Sequence, residues 1–143
     1  MTETQRLQQE YWSAFHALFR QHSGLHITPN PHPCHWTEVR FGNTTSIFSV
    51  RMNTLRKQKQ VSVQLVIEGK HRKQTFARLY QNRGQIEHEI GQPLRWEEPA
   101  GTKEKVSLSW SGTDPLDRES WADQHAWLLR TVETFYRVFA PQL

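Results

Sequence analysis

The side chains best suited to chemistry cluster in a few short stretches. One is a loop carrying His26, His32, Cys34 and His35. Imidazole and thiolate are natural zinc ligands, and His32, Cys34 and His35 are the set that would hold the ion. Their spacing matches no standard ligand pair, and no second cluster follows nearby. The expectation is therefore a structural loop without metal, with zinc binding as the alternative. Cys34 beside His35 is no convincing nucleophile–base pair, because a triad is assembled in space and nothing marks its third member. A second stretch is basic. Residues 51–83 carry nine lysines and arginines against the single acid Glu68, whereas residues 1–50 are balanced and residues 84–143 are net acidic. Arg51, Arg56, Lys57, Lys59, Lys70, Arg72 and Lys73 are the candidate nucleic-acid contacts. Gathered on one sheet edge and one helix start, they would follow a phosphate backbone, with His71 as an auxiliary donor. The plainer alternatives are a solvated surface, or a basic face that meets an acidic protein partner or the acidic third of a second copy in a homodimer.

Glu68-Gly69-Lys70 closes a strand-like run and resembles the second half of the PD-(D/E)xK nuclease motif. That chemistry needs two carboxylates to hold magnesium and a lysine near the attacking water, which would make Glu68 and Lys70 catalytic and Mg2+ the cofactor. No Asp or Glu stands between Glu38 and Glu68, so the first half of the motif is missing. The expectation is a chain with no catalytic residue and no cofactor, and the nuclease stands as an alternative.

The elements that must position these groups are legible as periodicities. Leu7, Tyr11, Phe15, Leu18 and Phe19 follow helical spacing over residues 3–23, with Thr2 and Gln5 set for a capping box and Gly24 as a stop. Pro29, Pro31 and Pro33 forbid a helix in the next stretch. Three alternating runs then predict strands around Val39–Phe41, Phe48–Met52 and Val61–Ile67, joined by short polar connections that favour antiparallel hairpins. A second helix is predicted over residues 71–90, ended by Gly91 and presenting Phe76, Leu79, Tyr80, Ile86 and Ile90. Arg83 interrupts that stripe, as a snorkelling side chain or one paired with a buried carboxylate. Strands follow near residues 94–96 and 106–110, separated by Pro99-Ala100-Gly101, and Asp117 is placed to cap a last helix through Phe139. The predicted order is α-β-β-β-α-β-β-α. It is an α+β fold of about five antiparallel strands with three helices packed on one face, and it fills residues 1–143 as a single domain.

Bulk composition narrows the class. The net charge is +4, and a lone cysteine rules out an internal disulfide framework. No apolar run approaches the ~20 residues of a membrane span. Residues 1–10 are polar, unlike a signal peptide. A cytoplasmic protein with no membrane partner is expected. Six tryptophans, three tyrosines and seven phenylalanines are many for 143 residues. Most fall at core-facing positions; Trp36, beside the Pro/His loop, is the one whose exposure decides whether it packs or binds.

Several local patterns occur together in order: Leu7-Gln8-Gln9-Glu10-Tyr11-Trp12, His35-Trp36, Ile86-Glu87-His88-Glu89-Ile90-Gly91, Leu94-Arg95-Trp96-Glu97, Trp121, and Phe139-Ala140-Pro141. This set resembles the bacterial family known as domain of unknown function 4268, over nearly the whole chain. The resemblance implies no catalytic residues. It does imply a nucleic-acid setting such as DNA processing or phage defence, because family members occur alone or behind nuclease-like regions. A small non-catalytic module that contacts nucleic-acid phosphates is the function expected.

Overall fold

A computed structural model of the chain describes residues 1–42, 45–55, 57–97 and 104–143. Helix α1 runs Glu3–His22 and opens on the predicted capping box, in which the Thr2 hydroxyl accepts from the Gln5 amide and the Gln5 side chain accepts from the Thr2 amide. Each bond satisfies an amide that the first helical turn would otherwise leave bare. Strands β1 (His26–Ile27), β2 (Trp36–Arg40), β3 (Ile47–Asn53) and β4 (Gln60–Ile67) follow, then helices α2 (Arg72–Gln81) and α3 (Arg83–Ile90), strands β5 (Arg95–Glu97) and β6 (Glu104–Ser111), and helix α4 (Trp121–Phe139). Short 3-10 turns at Arg118–Ser120 and Ala140–Gln142 flank α4.

The described residues thus carry six strands and four α-helices, one more of each than the periodicities predict. The extra strand, β1, lies ahead of the prolines, so its amides are free to pair with Val39 and Arg40 of β2. The extra helix arises at Asn82, whose backbone (φ −99°, ψ 12°) leaves the helical region and divides residues 72–90 in two. Asn favours such a local turn, and Gly84 follows within the next one. Gly91 ends α3 in the left-handed conformation. Asp117 caps the 3-10 turn through the Glu119 amide, and α4 begins three residues later than a helix capped by Asp117 would. The predicted Pro99-Ala100-Gly101 turn lies outside the described residues.

All strand pairs are antiparallel, and the sheet order is β1-β2-β3-β4-β6-β5. Along each central strand one alternation set is apolar. Phe48, Val50 and Met52 of β3, with Val61, Val63, Leu65 and Ile67 of β4, join Val106 and Leu108 of β6 in one core. Tyr11, Trp12, Phe15 and Phe19 of α1 and Leu128, Val132, Phe135 and Phe139 of α4 close over that face. The alternate residues belong to no helix contact of the core. They form the other face of the sheet, away from the helical layer, where Ile47, Ser49, Ser62, Val66 and Ser107 are nonetheless buried.

Candidate functional site

The register lays the face away from the helices out in rows. One row runs Trp36, Arg51, Ser62, Ser109 across β2, β3, β4 and β6. The next runs Glu38, Ser49, Gln64, Ser107, Arg95. A third is Asn53, Gln60, Ser111, and a fourth brings Arg40, Ile47, Val66 and Lys105 alongside Glu97. Every one of these side chains stands opposite the helices because the pleat points successive residues to opposite faces. The serines are short, so the middle of the face is lower than its rim. Two cavities, of about 370 Å³ and 290 Å³, are both lined by Arg51 and Gln64; the larger extends past the end of the sheet to Gln8 of α1 and Met52.

Arg51 is the chemical centre of this face. It is partly buried, its Nη1 lies 3.4 Å from Ser49 Oγ, and its guanidinium sits 5.9 Å from the centre of the Trp36 ring. Partial burial lowers its proton affinity, yet a guanidinium stays charged throughout the physiological range. No described carboxylate pairs with it. The other cations of the face are largely compensated: Arg40 pairs with Glu38 at 3.6 Å and Arg95 with Glu97 at 2.7 Å. Lys105 lines the smaller cavity and has no described carboxylate partner. Gln64 adds a polar group whose Oε1 is buried without a hydrogen-bond partner.

Trp36 is 38 % exposed. Its mount is fixed from three sides. The Cys34 thiol donates to the Trp36 carbonyl at 3.1 Å, the Trp12 indole donates to the Cys34 carbonyl at 2.8 Å, and the Met52 amide donates to the His35 carbonyl at 3.0 Å. The His35 ring meets the Trp36 ring edge-on at 4.7 Å. Desolvation, with Arg51 nearby, lowers the His35 pKa, which favours the neutral imidazole.

The candidate residues from the sequence are not brought together as one surface. At roughly 3.3 Å per residue, the eight residues of β4 hold its two ends about 23 Å apart. Lys57 and Lys59 stand at one end; Lys70, Arg72 and Lys73 stand at the other, where α2 begins. Lys59 donates to Asp114 Oδ2 at 2.9 Å. Desolvation opposes ionisation of that carboxyl, but the Lys59 ammonium and the Leu116 amide outweigh it and hold its pKa below the usual range. Arg72 is engaged with Glu104, a fully buried carboxylate 3.4 Å from its Nε. Arg56 lies outside the described residues. Arg83 pairs with no described carboxylate: it is exposed, its guanidinium 4.0 Å from the Tyr80 ring centre and its Nη1 donating to the Tyr80 carbonyl.

Among the described residues no three His, Cys, Asp or Glu side chains are grouped to hold a metal, either around His32, Cys34 and His35 or around Glu68. Glu68 and Lys70 sit in the turn from β4 to α2, which Gly69 makes with φ 101°. Sequence reading missed Gln64 and Lys105. Their only signal was a position in the alternation, and the pairing of β4 with β6 was needed to place them beside Arg51.

An α+β fold with one helical layer and one polar, cation-bearing sheet face is the class so defined. The chain belongs to the family described as Domain of unknown function (DUF4268), whose sequence profile matches residues 7–143. Neither a curated protein nor a solved structure gives a match. No helix among the described residues is long and apolar enough to cross a membrane.

Proposed function

We propose that this chain is a nucleic-acid-binding module whose sheet face away from the helices meets the phosphates, with no chemistry of its own. The observation that carries this reading is Arg51. A partly buried guanidinium without a described carboxylate, at the junction of two cavities, is an anion site in waiting. Lys105 within the smaller cavity and Lys57 at the hairpin end extend the positive potential along the same side of the sheet. The α2 end contributes less, because Arg72 is spent on Glu104. A DNA-processing or phage-defence setting is the context in which such a module would serve.

The test is a titration into labelled DNA and RNA at rising salt. With three phosphates met by Arg51, Lys57 and Lys105, the slope of log affinity against log salt is about −2 to −3, so a fourfold rise in salt weakens binding roughly 15- to 65-fold. Arg51→Gln should reduce both the affinity and the slope. Absence of binding at low salt would refute the proposal and turn attention to an acidic protein partner or a homodimer.

A further inference from the structure

Resting on the nucleic-acid reading, we infer that Trp36 and Arg51 form a nucleobase-stacking subsite, which makes the ligand a single strand and not a duplex. A phosphate-tracking surface needs cations alone. This face also presents a large aromatic ring at the outer end of the Arg51 row, in a position where no helix covers it. A tryptophan left at 38 % exposure forfeits burial that the same residue would gain in the core. The ring is also held in place, since the thiol, indole and amide bonds of residues 34–36 tie its backbone to α1 and β3. A rigid, exposed aromatic loses little freedom when a flat ligand stacks on it.

The surroundings match a base and its sugar-phosphate. Trp36 itself lines the smaller cavity, of about 290 Å³, and the larger one, of about 370 Å³, shares Arg51 and Gln64 with it; both volumes are about those of small-ligand sites. The walls of the larger cavity combine amides and hydroxyls with Met52 and Leu55; Asn53 is bonded to Gln58 and Leu55 and the Gln60 oxygen to Ser111, which leaves Ser62, Gln64 and the Gln60 amine to meet a base edge. Gln64 Oε1, buried and unbonded, gains a partner if an exocyclic amine reaches it. Arg51 stands between ring and amides, placed to meet the phosphate of the stacked nucleotide. In a duplex the base faces are stacked on one another and the base edges are paired, so neither the ring nor the amides would find a partner. Single-stranded binding by stacking on aromatics within a positive groove is sequence-tolerant, since every base has a π-face.

The experiment measures fluorescence anisotropy of labelled oligo-dT, oligo-U and a hairpin duplex with the full chain, its Trp36→Ala and Trp36→Phe variants, and Arg51→Gln. Thermal melts confirm that each variant folds. The expected result is preference for the single strands, a loss of roughly 5- to 150-fold for Trp36→Ala on them, and recovery in Trp36→Phe. The dT and U arms report whether the strand is DNA, RNA or either. Tight duplex binding that Trp36→Ala leaves unchanged, alongside a loss in Arg51→Gln, would overturn the stacking subsite while the phosphate reading stands. Failure of every nucleic acid to bind at low salt would remove both.

Discussion

Two histidines are buried without the partners a charged imidazole needs, and this sets how the fold responds to acid. His16 on α1 shares a 2.7 Å hydrogen bond between its Nε2 and the Thr37 hydroxyl, while its Nδ1 has no partner. His125 on α4 is enclosed by the rings of Tyr11, Phe15 and Trp121, and its Nε2 has no partner. Desolvation lowers the pKa of both from 6.5 to about 4, assisted at His16 by the charges of Arg20 and His32. The folded chain therefore keeps both rings neutral, whereas the unfolded chain begins to protonate them near pH 6.5. Their contribution to stability is fully present above the unfolded value and is lost as the pH falls through the window between 6.5 and about 4. Between pH 7 and pH 5 each such histidine costs about 2 kcal/mol, and the pair about 4 kcal/mol. That is a large part of the 5–15 kcal/mol typical of a domain, on the order of half or more at its lower end. Urea unfolding at the two pH values measures it, provided the slope of free energy against urea is unchanged. His125→Phe retains the ring and should remove about half of the pH dependence, and His16→Asn the other half. Equal stability at pH 7 and pH 5, or an undiminished drop in the double variant, would refute the burial argument.

Three further outcomes follow from the geometry. Glu104→Gln leaves Arg72 beside a neutral group and should cost about 3 kcal/mol or more in urea unfolding, whereas the paired replacement Arg72→Met with Glu104→Leu should cost distinctly less. Gly69→Ala must place a side chain at φ 101° with its Cβ 3.0 Å from Thr45 Oγ1, and should lower stability by about 1–3 kcal/mol in the same assay. Lys70→Ala with Lys73→Ala should leave nucleic-acid affinity within about twofold, while Asp114→Asn, which releases Lys59, should tighten it by a factor of about two to three at low salt.

Local rules were legible where one residue decides the outcome. Thr2 and Gln5 named the start of α1, Gly91 the end of α3, and the alternation of Phe48, Val50 and Met52 already placed Ser49, Arg51 and Asn53 on the opposite face. What was not legible depends on pairing. A two-residue strand such as β1 has no period, and Asn82 breaks a helix whose apolar stripe continues through it. The basic segment is contiguous in sequence, but β4 carries its halves to opposite ends of the sheet, and the ion partners Asp114 and Glu104 come from distant positions. Arg51 and Trp36, each singled out in the sequence for a separate reason, become neighbours only through the β2–β3 register, so their juxtaposition is a product of topology.

The sheet order has a consequence for how far the molecule keeps to itself. Strands β3 and β4 are flanked on both sides, and the margins belong to β1 and β5, of two and three residues, with β5 covering only Lys105, Val106 and Ser107 of β6. Pro29, Pro31 and Pro33 follow the first margin, and the second carries Arg95 and Glu97. Such short margins offer little ladder along β1 and β5 themselves, whereas residues 108–111 of β6, paired with β4 alone among the described strands, are where another strand would find open ladder groups.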